Sequence, residues 1–242
     1  MKRYSIITIE REYASGGSLV GKLVGQALGV PVYGREILEI AAREGGTTPE
    51  YIEHLEETNT NSLLYSLVAM AKTVQGQLPQ ISKTDQLNLL EARIIQRLAQ
   101  EGPCVIVGRC AGWVLREQPH VLNVFIHADR QERLRRAVEE YGIPQDQAAS
   151  VLHRFDHRRS NFYHANTGRS WREREGYHMV LDSGLLGVEL CSQLLVAAAL
   201  MGTWVVMAYL PYLVIAGAVS GLFTGLCAQF LIGRLDKISH SP

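Results

Sequence analysis

Ser15-Gly16-Gly17-Ser18 stands between a short β-branched run, Tyr4 to Ile9, and a helical pattern. Glycines in such a turn let backbone N–H groups approach a phosphate, and the helix dipole favours its negative charge. An ordinary tight turn would carry the same glycines, and the stronger signature G-x-x-x-x-G-K-[ST] is absent. Lys22 lies one helical turn further in. A second cluster runs from His153 to Tyr163. Arg154 and Arg158 are four apart and share a helix face, while Asp156 and Arg159, three apart, are spaced to pair. Arginines on a mobile helix clamp phosphates bidentately. A solvated charged face is the competing reading, and the interleaved Phe155, Phe162 and Tyr163 count against it. Gly108-Arg109-Cys110 directly follows an apolar run, which aims Arg109 at a strand end. Asp182-Ser183 follows another, where it contacts ligand or metal or caps a helix. The eight histidines make no metal constellation.

These residues are expected on a repeating strand–helix framework. Short apolar runs at 4–9, 30–33, 104–107, 122–126 and 179–181 read as strands. Leu19, Val20, Leu23, Val24, Ala27 and Leu28 form one helical stripe, closed by Gly29. Pro49 reads as the first residue of a helix, residues 87–98 as another, 131–141 as a charged helix and 145–166 as a long one. The stretch 72–86 reads as a loop. Strands alternating with helices predict a five-stranded parallel sheet covered on both faces. Ligands then bind beyond the carboxyl ends of the strands, at 10–18, 34–36, 108–112, 127–130 and 182–184.

The 242 residues contain 24 Lys+Arg and 24 Asp+Glu, a net charge of zero. That balance argues against a nucleic-acid partner, whose phosphates demand excess positive charge. Cys104, Cys110, Cys191 and Cys227 form no C-x-x-C pair, so a reducing cytosolic compartment is expected for the body. The charges are unevenly placed: none, and no His, occurs from Leu190 through Gly233. A charged globular body is therefore followed by an apolar tail.

The stretches at 7–17, 104–111, 123–128, 156–163 and 181–187 together resemble the cytidylate-kinase-like family of P-loop nucleoside monophosphate kinases. The resemblance implies a P-loop nucleotide-kinase fold with a helical, Arg-rich lid. It implies ATP with Mg²⁺ as phosphoryl donor and a small acceptor such as CMP. Arg158, Arg159 and Arg109 then fall in catalytic places. Ser15, Gly16, Gly17, Ser18 and Arg11 fall on the donor side, with Ser18 towards Mg²⁺. Arg35, Arg109, Arg154 and Asp182 fall on the acceptor side. The chain departs from the family pattern in three regions. Gly17-Ser18-Leu19 occupies the region of Gly-Lys-Ser/Thr, and Ser18 stands where relatives often keep a base. Gly34 and Gly112 stand where they often keep acids. Losing one transition-state cation typically costs ~10²–10³ in rate. Gly17→Lys or Ser18→Arg is therefore expected to raise turnover in an impaired enzyme. A second reading is a degenerate kinase that senses nucleotide as a regulatory module of a membrane complex, such as a transporter.

Tyr212 to Ile232 as a helix would span ~32 Å, matching a ~30 Å hydrocarbon core. Gly217, Gly221 and Gly225 give G-x-x-x-G twice, a surface on which another helix packs closely. The expected domains are a kinase-like body at 1–199, a membrane segment at 200–233 and a polar tail at 234–242. The segment is read as a single apolar helix or as a hairpin with residues 190–210 as its first span. The body is then cytoplasmic and tethered by its C-terminus.

Overall fold

A computed structural model describes residues 4–52 and 83–201. Five strands form one parallel sheet in the order β2-β3-β1-β4-β5. They are β1 (Ile6–Arg11), β2 (Val32–Tyr33), β3 (Cys104–Val107), β4 (Val121–His127) and β5 (Met179–Asp182). β1 is longer than the apolar run implies. Glu10 and Arg11 continue the ladder opposite Phe125 and Ile126 of β4, which carries two charged side chains to the carboxyl edge.

Both faces of the sheet are buried, so its strands alternate between two cores rather than between core and water. Ile6, Cys104 and Ile106 pack on one face with Ile37, Leu38 and Ala41 of α2 (Glu36–Glu44). The same cluster takes Ile94, Ile95 and Leu98 of α3 (Lys83–Glu101), and Ala111 of α4 (Ala111–Val114). On the other face, α1 (Gly17–Leu28) sits against Ile9, Val105 and Val107. The buried stripe of α1 is Gly17, Val20, Gly21, Val24 and Gly25, and Leu19 is exposed. The apolar pattern misplaces this face, because three of its five members are glycines. A Cβ on Gly21 would come within 2.8 Å of Val107 Cγ2, so the helix approaches the sheet through these residues.

A helical turn begins at Pro49 as its sequence implies, with Thr48 Oγ1 accepting from the Tyr51 N–H at 3.2 Å. The run at 131–141 is α5 (Arg130–Glu139), capped by the Asp129 carboxylate. The long run is α6 (Gln145–Thr167), the Arg-rich lid helix. Most of the predicted loop at 72–86 lies outside the described residues, and α3 is already helical from Lys83. After β5 come the short α7 (Ser183–Leu186) and α8 (Val188–Met201).

Lys2–Leu200 forms one compact unit that includes α8 up to Leu200. Cys191, Leu195, Ala198 and Ala199 of α8 are buried, and the Ala199 carbonyl accepts from the Tyr4 N–H at 3.3 Å. A hairpin using 190–210 as its first span would withdraw this helix from the core. Among the described residues no helix is long and apolar enough to cross a membrane. The apolar tail from 202, with Gly217, Gly221 and Gly225, lies outside the described residues.

Candidate active site

The turn from β1 to α1 has the backbone of an anion-binding nest. Ala14 and Gly16 take positive φ, 57° and 75°, on either side of Ser15, so successive N–H groups curve around one concavity. Gly16 must be glycine twice over. Its φ is left-handed, and a Cβ there would meet Val188 Cγ2 at 2.7 Å. Helix α1 starts at the next residue, so Gly16-Gly17-Ser18 takes the place of Gly-Lys-Ser/Thr. That is one residue earlier than the sequence pattern suggests. Ser18 is exposed in the first turn of α1, at the hydroxyl position of the motif. Ser15 is buried, and its hydroxyl is spent inside the loop, donating to the Glu12 carbonyl at 2.9 Å.

The loop is fixed from behind by Arg136, which the sequence did not single out, and by Ser183. Arg136 Nη1 donates to the Ser15 carbonyl at 2.8 Å, and its Nη2 donates to the Ser183 carbonyl at 3.0 Å. The Ser183 hydroxyl also donates to the Ser15 carbonyl, at 2.5 Å. Arg136 is only 5% exposed, so a buried cation ties the loop to the turn after β5. The lid is tied in the same way. The Asp156 carboxylate accepts from the Tyr13 N–H at 2.7 Å and from Arg133 Nη1 at 2.5 Å. Asp156 therefore bridges to Arg133 rather than forming the expected ion pair with Arg159. Arg172 adds a 2.8 Å bond to Glu12. Nothing in the helical spacing marks which of several arginines turns inward.

Arg159 and Arg11 meet at the mouth of the loop, and Arg109 lies near enough to repel Arg11. Arg159 Nη1 donates to the Arg11 carbonyl at 3.1 Å, and Arg159 lies over the Tyr13 ring at 5.5 Å. Burial, Arg159 and Arg109 together push the Arg11 pKa down to about 9, with Glu10 opposing, so the group stays charged at neutral pH. Burial likewise lowers the Arg159 pKa. Glu10 offsets part of this repulsion at Arg11 and Arg159.

Arg109 comes from a strained turn. Gly108, Arg109 and Cys110 all take positive φ, 82°, 62° and 53°. For the two non-glycine residues this costs roughly 1–3 kcal/mol each. Glu10 holds the turn, its Oε1 accepting from the Cys110 N–H at 3.1 Å. Burial raises the Glu10 pKa, against the pull of Arg11 and Arg159. Arg109 pairs with the buried Glu91 at 3.5 Å and lies over the Phe162 ring at 5.6 Å. Glu91, Arg109, Cys110 and Phe162, with Asn88, Trp113 and Asn166, line a cavity of about 10 Å³, room for a single water.

The remaining sequence candidates sit elsewhere or do something else. Arg154 and Arg158 do share a face, both over the Phe155 ring at 5.4 Å, and Phe155 in turn stacks on Tyr13 at 4.4 Å. Arg35 is exposed and pairs with Glu50 at 3.9 Å. Asp182 caps α7, accepting from the Gly184 and Leu185 N–H groups. The acid expected near position 112 has no room, because a Cβ on Gly112 would overlap the Asn123 amide. At Gly34 the N–H donates to Glu36 Oε2 at 2.7 Å, so a carboxylate reaches this turn from two residues later.

Sheet order, anion nest and arginine lid define a kinase-like, nucleotide-binding P-loop fold. Residues 6–185 match the model of the cytidylate kinase-like family, and the chain belongs to that family. Residues 186–231 match a family described as heptaprenyl diphosphate synthase component I. Among solved structures, an uncharacterized protein from Eubacterium ventriosum superposes with a TM-score of 0.61 at 21% identity, over 81% of this chain and 98% of that one. Shikimate kinase from Bacteroides thetaiotaomicron gives 0.44 at 14% identity, over 78% and 95%. A gluconokinase from Sinorhizobium meliloti gives 0.36 at 18%, over 64% and 76%. No curated protein matches the chain.

Proposed function

We propose that the chain transfers the γ-phosphoryl group of ATP to a nucleoside monophosphate, CMP or a similar small acceptor. The observation that carries this reading is the backbone nest at Ala14–Gly16 with Arg159 bonded to Arg11 at the end of β1 beside it. An acceptor phosphate oxygen attacks the γ-phosphorus, the bond to the β,γ-bridging oxygen breaks, and ADP leaves. Charge then moves onto oxygens beside fixed guanidinium groups, which stabilise it without reorganising. The first-turn N–H groups of α1 receive the donor phosphates. Mg²⁺ fits beside them, because the exposed Ser18 hydroxyl stands at the motif position that faces it, and it would neutralise donor oxygens there. Arg109, held at the end of β3 by the strained turn, suits the acceptor phosphate.

We further propose that residues 1–199 act as the kinase-like body and 200–233 as a membrane segment that tethers it. The uncharged stretch from Leu190 and the separate family match at 186–231 support a distinct C-terminal segment, and the buried Leu195, Ala198 and Ala199 of α8 support a body that runs to 199. The test is ADP release by the full-length protein with ATP and Mg²⁺ across a panel of nucleoside monophosphates. Acceptor-dependent release supports the enzyme. ATP binding without release under any acceptor would replace it with the nucleotide-sensing module.

A further inference from the structure

Placing Gly16 and Ser18 on the second glycine and the hydroxyl of G-x-x-x-x-G-K-[ST] puts Arg11 on the first glycine and Gly17 on the lysine. The two residues are exchanged: a cation stands where the motif has glycine, and glycine where it has its cation. The structure gives the reason the two changes go together. A Cβ on Gly17 would lie 2.5 Å from Arg11 Cβ and 3.0 Å from Arg11 Cγ. The two positions face each other across the turn, and only one of them has room for a side chain. The Arg11 stem lies against Gly17, and its Nη1 fills the space that a Cβ on Gly108, just past β3, would take. β1 and β3 are adjacent strands, so the guanidinium lies in the crevice between their carboxyl ends. Its Nε is buried with no hydrogen-bond partner among the described residues. Arg159 and Arg109 repel it, and Glu10, already bound to the Cys110 N–H, is the carboxylate that offsets them.

We propose that Arg11 takes the part of the missing phosphate-loop lysine, delivering the cation for the transferred phosphoryl group from strand β1 instead of from helix α1. This rests on the phosphoryl-donor reading above. It also reverses one expectation from the sequence, because Gly17→Lys alone drives a side chain into Arg11 and does not restore a working loop.

The test is calorimetric titration of the full-length protein with ATP and, separately, with inorganic tripolyphosphate, which carries the phosphates without the nucleoside. R11M keeps most of the stem and removes the charge, and is expected to lose about 10- to 100-fold in affinity for both ligands. R11Q serves as the second neutral variant, and melting temperatures are recorded for all. G17K is expected to bind weakly and melt lower, whereas the exchange R11G/G17K recovers at least tenfold over R11G. Neutral variants within twofold of wild type would overturn the proposal, as would an exchange no better than R11G. Wild type that binds tripolyphosphate but not ATP leaves Arg11 in its role and overturns the nucleotide reading. Wild type that binds neither overturns both.

Discussion

Arg159 and Arg158 are neighbours in sequence with different surroundings. Arg159 bonds the backbone of the phosphate loop, while Arg158 lies over Phe155. Arg159→Met is therefore expected to lower turnover by ~10²–10³, the usual cost of one transition-state donor. Arg158→Met is expected to change it by less than about tenfold, because Arg158 rests on Phe155 and Arg159 bonds the loop backbone. Steady-state kinetics on the two variants check this, and equal losses would contradict it. At position 112 the structure argues against repair. Gly112→Asp is expected to destabilise the fold by about 1–3 kcal/mol, because the Asn123 side chain already fills the space. Asn123 accepts from Thr8 Oγ1 at 2.8 Å and donates to the Gly176 carbonyl at 2.6 Å, so it has little freedom to move. A denaturant midpoint unchanged by the substitution would contradict this.

At the scale of elements, the β4–β5 edge depends on a neutral histidine. The Asn123 N–H donates to His178 Nδ1 at 3.0 Å, while the His178 N–H donates to the Asn123 carbonyl at 2.8 Å. Burial holds the His178 pKa below its ordinary value of 6.5. The unfolded chain therefore binds this proton first. The stability it provides is complete above pH 6.5 and is lost as pH falls below that value. Denaturant unfolding measured down to about pH 5 should show that loss in wild type and not in His178→Gln. The sheet itself was legible in advance, because short β-branched runs buried on both faces leave a continuous apolar signal. The seat of α1 was not, because Gly17, Gly21 and Gly25 pack closely while carrying no apolar side chain. Gly21→Ala should consequently cost about 1–3 kcal/mol, against the gain a Gly→Ala change gives an exposed helix. The lid was legible as a helix rich in arginine, yet its inward face was not. Which side meets the loop is decided by Asp156, Arg133 and Glu12, whose partners lie far away in sequence.

At the scale of the whole molecule, the site is assembled from the carboxyl ends of β1 and β3, the lid, and the buried Arg136 that links loop to β5. Charges that the motif would place on α1 come instead from β1 and from a strained turn after β3. The central claim is that this arrangement moves a phosphoryl group and does not merely bind nucleotide. The most direct measurement follows the phosphorus. Full-length protein is incubated with ATP, Mg²⁺ and CMP, and the products are resolved by ³¹P NMR. The terminal phosphate of a new nucleoside diphosphate is expected to appear in step with ADP, one for one, and both are expected to collapse in Arg159→Met. ADP accompanied only by inorganic phosphate, or no ADP with any monophosphate supplied in place of CMP, would contradict the central claim.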